Sequence, residues 1–145
     1  MARLQLALNV SDLDEAVDFY RRLFGTDPTK RRDGYANFAV ADPPLKLVLF
    51  EGSGEPGTLN HLGVEMPTTA EVTTATRRIG EAGLEPGDVS RDVCCHAEQD
   101  KAWVTGPDDA AWELYTVVDD DPTSDSAGGA CCSGPVAGPD VTAAR

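Results

Sequence analysis

Three side chains that can bind a divalent metal ion lie at matching places along the chain. Gln5 and His61 each lie at the start of a short strand-like pattern, and Glu113 lies in the last such pattern. An amide oxygen, a neutral imidazole nitrogen and a carboxylate are all metal ligands. Three protein ligands on one side of a metal leave positions open for O2 or substrate, as in the facial triads of non-heme Fe(II) oxygenases. Zn(II), Mn(II) and Ni(II) accept the same residue types, so the residues leave the metal open.

Lys46 is the fourth residue of interest in this pattern. Aligning the last strand pattern of each half places Lys46 opposite Glu113. A protonated ammonium group does not ligate a metal. Lys46 is therefore predicted either to lie beside the metal ligands or to replace a lost fourth ligand.

The four cysteines form two adjacent pairs, Cys94-Cys95 and Cys131-Cys132. A disulfide between neighbours is strained, and the Cys-x-x-Cys spacing of structural zinc sites is absent from the sequence. Adjacent thiols suit a soft metal or a metalloid, because the second sulfur bond forms intramolecularly. Neighbours on a regular strand point to opposite faces, so a bulge or loop is needed for both sulfurs of the first pair to bind one atom. The alternative is one buried and one exposed thiol.

The elements that must position these residues form a weak internal repeat. Residues 5–10 and 61–66 alternate as strands do, and they begin 56 residues apart. A helix-capping signal follows each of them, Ser11 with Asp14 and Thr68 with Glu71. Each signal opens an amphipathic helical pattern. The two patterns end at the glycines of positions 25 and 83.

Further strand-like segments follow each helix. They cover residues 35–40 and 45–50 in the first half, and 93–97, 101–105 and 112–118 in the second half. The order predicts an α+β fold of two β-α-β-β-β modules, at about 3–51 and 60–118. Their sheets would lie side by side, with the helices outside and a cleft between the modules. Residues 51–59 would link them.

Composition limits the possible partners. The chain has 145 residues and a formal net charge of −13, which disfavours binding to nucleic acid or to an anionic membrane. Neither a membrane-spanning run nor a signal-peptide pattern is present, so we expect a cytoplasmic location. Residues 1–118 are predicted to form one domain. Residues 119–145 are predicted to be a disordered tail that carries Cys131 and Cys132.

Seven segments form a recognisable set: QLALNV from Gln5, YANFAV from Tyr35, PPLKLVL from Pro43, NHLGVE from Asn60, Cys94-Cys95, QDKAWVTGP from Gln99 and WELY from Trp112. This set resembles the organoarsenical C–As lyase family, with which cadmium-induced proteins are grouped, in the vicinal oxygen chelate superfamily of glyoxalases and extradiol dioxygenases. Together they cover roughly residues 3–118.

The resemblance implies an Fe(II)- and O2-dependent lyase that converts trivalent methylarsenite, or trivalent aromatic arsenicals, to arsenite. Gln5, His61 and Glu113 match the metal ligands, and Cys94 and Cys95 match the pair that binds arsenic. Ni, Zn, Mn or Co are other divalent metals for the same site. The first ligand in the wider superfamily is usually histidine, and glutamine stands there in this chain.

The remaining expectations concern partners and rival functions. The partner is expected to be a small trivalent organoarsenical, and the protein a monomer or a homodimer. Cys131 and Cys132 are candidates for substrate capture. The main rival is a non-catalytic cytosolic protein that binds Cd(II) or As(III) through its dithiols. A glyoxalase-like isomerase is a third possibility.

Overall fold

The computed structural model describes residues 1–94 and 96–122. The predictions for Cys95, for Cys131 and Cys132, and for the tail from residue 123 onward lie outside the described residues.

Two copies of one element order make up the described chain. The first half contains β1 (Arg3–Val10), α1 (Leu13–Phe24), β2 (Lys30–Arg32), β3 (Tyr35–Val40) and β4 (Leu45–Glu51). The second half contains β5 (Leu59–Glu65), α2 (Thr69–Glu81), β6 (Ser90–Cys94), β7 (Ala97–Thr105) and β8 (Ala111–Asp119). The predicted α+β fold of two β-α-β-β-β modules is confirmed. Within the described residues, neither α1 nor α2 is long and apolar enough to cross a bilayer.

The eight strands of the described residues form one sheet with the order β2-β3-β4-β1-β5-β8-β7-β6. The two halves meet where β1 pairs antiparallel with β5. Each of these strands also pairs in parallel with the last strand of its own half, β1 with β4 and β5 with β8. The four central strands are therefore those that carry Gln5, Lys46, His61 and Glu113.

The two faces of this sheet differ in chemistry. Leu47 and Leu49 on β4 belong to an apolar cluster that includes Leu13 and Val17 of α1. A smaller cluster joins Val72 and Ile79 of α2 to Leu114 of β8. The residues that alternate with these, among them Lys46 and Glu113, line a cavity on the opposite face. Strand alternation thus separates an apolar core beneath the helices from a polar cavity.

The helix ends follow the sequence signals with one correction. Thr68 caps α2 as predicted, since its side chain accepts a hydrogen bond from the backbone amide of Glu71. The cap of α1 is Asp12 and not Ser11: its carboxylate accepts from the amide of Glu15 at 3.0 Å. An aspartate side chain can form the same capping hydrogen bond as a serine side chain. With Asp12 as the cap, α1 begins at Leu13, and Leu13 is buried in the core. Gly25 ends α1 with a φ of 62°, a conformation that glycine adopts readily.

The prediction of a strand over residues 93–97 is wrong. β6 ends at Cys94 and β7 begins at Ala97, and these two residues pair with each other. His96 lies in a turn and has a φ of 67°. Residues 93–97 contain no glycine or proline to mark a turn, which is why the sequence shows one strand there. The short strand β2 also had no recognisable signal in the sequence.

Candidate metal centre and its cavity

Gln5, His61 and Glu113 come from three adjacent central strands and meet at one point. Gln5 Nε2 lies 3.0 Å from His61 Nε2 and 3.0 Å from Glu113 Oε2. The third side of this triangle, from His61 Nε2 to Glu113 Oε2, is 3.4 Å. All three side chains are buried. The structure thus brings together three residues that lie up to 108 positions apart in the sequence.

The triangle has the size that a single metal ion requires. Two ligands bound at roughly 2.1 Å and at a right angle are separated by roughly 3.0 Å. The three observed separations, 3.0, 3.0 and 3.4 Å, match that spacing. Within residues 1–94 and 96–122, no group of three His, Cys, Asp or Glu side chains is placed to bind a metal. Gln5, His61 and Glu113 do not form such a group, because only His61 and Glu113 are of these types and Gln5 is an amide.

The amide of Gln5 needs a specific orientation to act as a ligand. Its nitrogen faces His61 and Glu113, while its oxygen accepts a hydrogen bond from the hydroxyl of Tyr115. A half-turn of the amide brings the oxygen to the triangle, and the tyrosine hydroxyl then accepts from the amide nitrogen. Tyr115 supports either orientation and was not identified from the sequence, because it lies in ordinary strand alternation.

Lys101 forms a buried ion pair with the carboxylate of Glu113. Its ammonium donates to Glu113 Oε1 at 3.0 Å, and the residue is 1% exposed. Burial alone raises the pKa of Glu113, but its polar neighbours, His61 and the charged, hydrogen-bonding Lys101, outweigh it, so this pKa is lower than usual. Glu113 is therefore anionic, and Oε2 faces the other two donors. A lysine at a buried strand position was the available sequence signal for Lys101, and the sequence analysis missed it.

The imidazole of His61 is held in one tautomer by its neighbour in the chain. Its Nδ1–H donates to Asn60 Oδ1 at 2.8 Å, which leaves a lone pair on Nε2. Adjacent strand residues normally point to opposite faces. Here the pairing of β1 with β5 shifts register, since Ala7 faces His61 and Leu8 faces Leu59. Asn60 is the extra residue of this bulge, and the bulge lets the two side chains meet.

A chain of amides extends this support away from the cavity. Asn60 Nδ2 donates to Asn9 Oδ1 at 3.0 Å, and Asn9 Nδ2 donates to Thr58 Oγ1 at 3.0 Å. Gly54, in the link between the halves, lies so close that a Cβ there would come within 2.6 Å of Asn9 Nδ2. The link therefore packs against Asn9, which binds the amide of Asn60 that orients His61.

The strand register corrects the predicted equivalence of Lys46 and Glu113. Gln5 pairs with Lys46, and Ala7, two residues later, pairs with Val48. In the second half, Glu113 pairs with Gly63, two residues after His61. The counterpart of Glu113 is therefore Val48, whose side chain is not a metal ligand. Lys46 lies on β4 two residues before Val48, and it belongs to the wall of the same cavity.

The cavity extends from the three donors to Cys94. Its wall includes Gln5, His61, Glu113 and the buried thiol of Cys94, and the open volume at its centre is about 20 Å³. Of the residues predicted to bind arsenic, Cys94 is therefore the one seen to face the donors. A thiol and a potential metal site that share one cavity can act on the same small molecule.

Comparisons with known proteins agree with this arrangement. The family model described as the Glyoxalase/Bleomycin resistance protein/Dioxygenase superfamily matches residues 3–114. The cadmium-induced protein CadI of Mycobacterium tuberculosis is 52% identical over 147 residues, which cover 94% of this chain and 97% of that protein. A trivalent organoarsenical cleaving enzyme of Thermomonospora curvata is 53% identical over 135 residues, 92% of this chain and 89% of that protein.

A more distant likeness is seen among solved structures. The crystal structure of the 2,3-dioxygenase LapB from Pseudomonas sp. KL28 has a TM-score of 0.61 to this chain at 18% identity. The match covers 86% of this chain and 44% of that one. At this identity the likeness shows the fold alone.

Proposed function

The chain belongs to the Glyoxalase/Bleomycin resistance protein/Dioxygenase superfamily, and on this basis we propose that it is an Fe(II)- and O2-dependent enzyme that cleaves the carbon–arsenic bond of trivalent organoarsenicals. The superfamily expected from the sequence motifs is thereby confirmed. Relatives named as trivalent organoarsenical cleaving enzymes support the substrate class, at 53% and 33% identity. We propose methylarsenite as the substrate, trivalent aromatic arsenicals as further ones, and arsenite as the product. With methylarsenite the reaction balances as CH3As(OH)2 + O2 → As(OH)3 + CH2O, in which the methyl carbon is oxidised to formaldehyde and O2 is the oxidant.

One observation carries the proposal: three metal-ligand side chains at mutual distances of 3.0–3.4 Å line the same cavity as a buried cysteine. Gln5, His61 and Glu113 would hold the metal, which, when bound, would supply the activation of O2. Fe(II) is proposed as that metal, with Ni, Zn, Mn or Co as ions that the same donors accept.

The residues of the chain provide binding and placement. The Cys94 thiol bonds to arsenic by displacing one As–OH group, and the thiol hydrogen leaves with that hydroxyl as water. Cys95 is proposed to do the same, so that arsenic keeps only its carbon substituent. Lys101 keeps Glu113 anionic, and Asn60 keeps His61 Nε2 directed to the donor triangle. The arsenic–carbon bond is thus held beside the metal ligands with little room for water.

The proposal is tested by arsenic speciation. The Fe(II)-loaded protein is incubated with methylarsenite without oxygen, and O2 is then admitted. We expect arsenite only after O2 is admitted, and no turnover in His61→Ala or Glu113→Gln. Cys94→Ser and Cys95→Ser are expected to lose substrate binding. Glu98→Gln, on β7 outside the cavity wall, is the matched control and should keep activity. Arsenite formation without O2, or in the Glu113→Gln variant, would contradict the proposal.

A second candidate is supported by the relatives named as cadmium-induced proteins. In this case the chain binds Cd(II) or As(III) through its thiols and catalyses nothing. The same assay separates the two functions, because stoichiometric binding with no arsenite under any condition favours sequestration.

A further inference from the structure

Within residues 1–94 and 96–122, two buried carboxamide oxygens of the cavity wall have no hydrogen-bond partner. They are Asn37 Oδ1, on β3, and Gln99 Oε1, on β7. The two residues are 3% and 9% exposed, and both belong to the cavity wall. A buried polar atom without a partner is costly, so such atoms in a cavity indicate a ligand or an ordered water.

Lys46 adds a positive charge to the same wall. The residue is 9% exposed, and burial is the main reason that the pKa of its ammonium is lowered. The structure gives Lys46 neither a hydrogen bond nor an ion pair within residues 1–94 and 96–122. The carboxylates nearby already have cations: Asp120 pairs with Lys30, and Glu65 pairs with Arg3. Glu113 in turn pairs with Lys101 on β7. Because these carboxylates already have cationic partners, the ammonium of Lys46 can bind a ligand.

The chemistry of these three side chains suits one small oxygen-bearing group of the ligand. Either carboxamide can present its oxygen or, after a half-turn, its nitrogen. Together with a cationic donor, they match a hydroxyl or its conjugate oxyanion.

We propose that Lys46, Asn37 and Gln99 form a subsite for one oxygen atom bonded to arsenic. The inference rests on the proposed function and identifies a part of the ligand that it leaves unassigned. Arsenite always has one more As–O bond than methylarsenite, whatever the number of thiols that have displaced hydroxyls. The subsite therefore favours the product and receives the oxygen that arsenic carries once its carbon substituent has left.

The test is the ratio of two dissociation constants. Metal-free protein is titrated with arsenite and with methylarsenite without oxygen, and tryptophan fluorescence is recorded, since Trp103 lies 5.2 Å from the ring of His61. Lys46→Met is expected to weaken arsenite binding about tenfold, the usual effect of losing a hydrogen bond to a charged group. Methylarsenite binding should change less than about twofold. Lys46→Arg should restore arsenite binding.

Arg77→Met is the matched control. Arg77 is an exposed cation on α2, and it lies outside the cavity wall. Its loss should leave the ratio of the two constants unchanged. Should Lys46→Met fail to fold by circular dichroism, Gln99→Leu replaces it, with an expected loss of about threefold for arsenite alone.

The outcomes separate this inference from the proposed function. Equal changes for both arsenicals, or no change in Lys46→Met, would mean that the cavity holds only a water and would overturn the subsite. Arsenite release after O2 would then still support the lyase. A wild-type protein that binds neither arsenical would overturn both.

Discussion

At the scale of single residues, the proposed chemistry depends on which atom of each candidate metal ligand faces the cavity. His61 presents Nε2 because Asn60 accepts the hydrogen on Nδ1. Glu113 presents Oε2 because Lys101 binds Oε1. Tyr115 holds the amide of Gln5. Each donor therefore has a partner that fixes its orientation, which is how metal sites are generally tuned.

Asn60→Ala is expected to weaken metal binding by about 10–100-fold, since loss of an orienting partner has this effect at metal sites. Affinity is measured by competition with a chromophoric chelator without oxygen. ¹⁵N NMR of the metal-free protein should show the proton of His61 distributed between its two nitrogens. Asn60→Asp keeps the acceptor oxygen and should bind metal as the wild type does. Metal affinity within twofold of the wild type in Asn60→Ala would contradict the role given to this residue.

At the scale of elements, the pairing of the central strands sets the distances between the donors. Gly63 lies on β5 between β1 and β8, and it pairs with both Gln5 and Glu113. A Cβ at this position would lie 3.0 Å from the carbonyl oxygen of Glu113 and 3.2 Å from Gln5 Nε2. The absence of a side chain is what permits these strands to bring their donors together.

Gly63→Ala should therefore disturb the site more than an ordinary substitution. We expect a loss of roughly 1–3 kcal/mol in the free energy of unfolding, typical of overpacking, together with weaker metal binding. Urea denaturation and chelator competition measure the two effects. Gly87→Ala is the control, because the nearest atom to a Cβ there is a carbonyl oxygen 3.7 Å away. Equal stability and metal affinity in the two variants would refute the packing argument.

Asp100 makes stability depend on pH where β6, β7 and α2 meet. Hydrogen bonds from Arg91 and Thr69 lower its pKa to about 2. A carboxylate whose pKa falls on folding stabilises the protein above its unfolded pKa, near 4, and this stabilisation disappears as pH falls through about 2. The urea midpoint of the wild type should exceed that of Asp100→Asn above pH 4, by roughly 1 kcal/mol in stability, and the two should converge near pH 2.

The control for this prediction is Asp88→Asn, which changes an exposed aspartate. Its midpoint should follow that of the wild type at every pH. A constant gap between Asp100→Asn and the wild type from pH 2 to pH 7 would show that the loss is not one of charge.

At the scale of the whole molecule, the side chain of Lys30 joins the two ends of the sheet. Lys30 lies on β2, at one edge, and its ammonium donates to the carbonyl of His96, which follows β6 at the other edge. It also donates to Asp120 Oδ1 at 2.9 Å, just beyond β8. The eight-stranded sheet therefore curls around the cavity, and a buried lysine holds the curl closed.

Two truncations test this closure. A chain that ends at residue 118 lacks Asp120, whereas one that ends at residue 122 keeps it. The shorter chain should lose roughly 1–3 kcal/mol of stability in urea relative to the longer one, because a buried ammonium loses its anionic partner. Equal urea midpoints for the two truncations would show that the contact is unimportant.

The chain that ends at residue 122 also tests the role of the tail. We expect arsenite production to persist without residues 123–145, with weaker capture of methylarsenite at low concentration, if Cys131 and Cys132 collect substrate. Capture is measured as the rate of methylarsenite depletion at concentrations below that of the protein. An unchanged rate would show that the tail pair has no part in capture.

The sequence by itself determined the elements and the residues with chemical potential. Local periodicity and capping residues are read over a few neighbouring positions, so the repeat, both helices and the strands that carry Gln5, His61 and Glu113 were predictable. Signals that span one or two residues were less certain, as the choice between Ser11 and Asp12 shows. The turn at His96 was missed because residues 93–97 contain no glycine or proline to mark it.

Only the tertiary structure decided how these residues meet. Register between distant strands is set by packing over the whole sheet, and it replaced Lys46 by Val48 as the counterpart of Glu113. The bulge at Asn60 has no local signal, because it exists only relative to β1. The sequence analysis missed Lys101, and only the fold shows that its ammonium binds the carboxylate of Glu113. The types of the ligands are thus local information, whereas their geometry belongs to the fold.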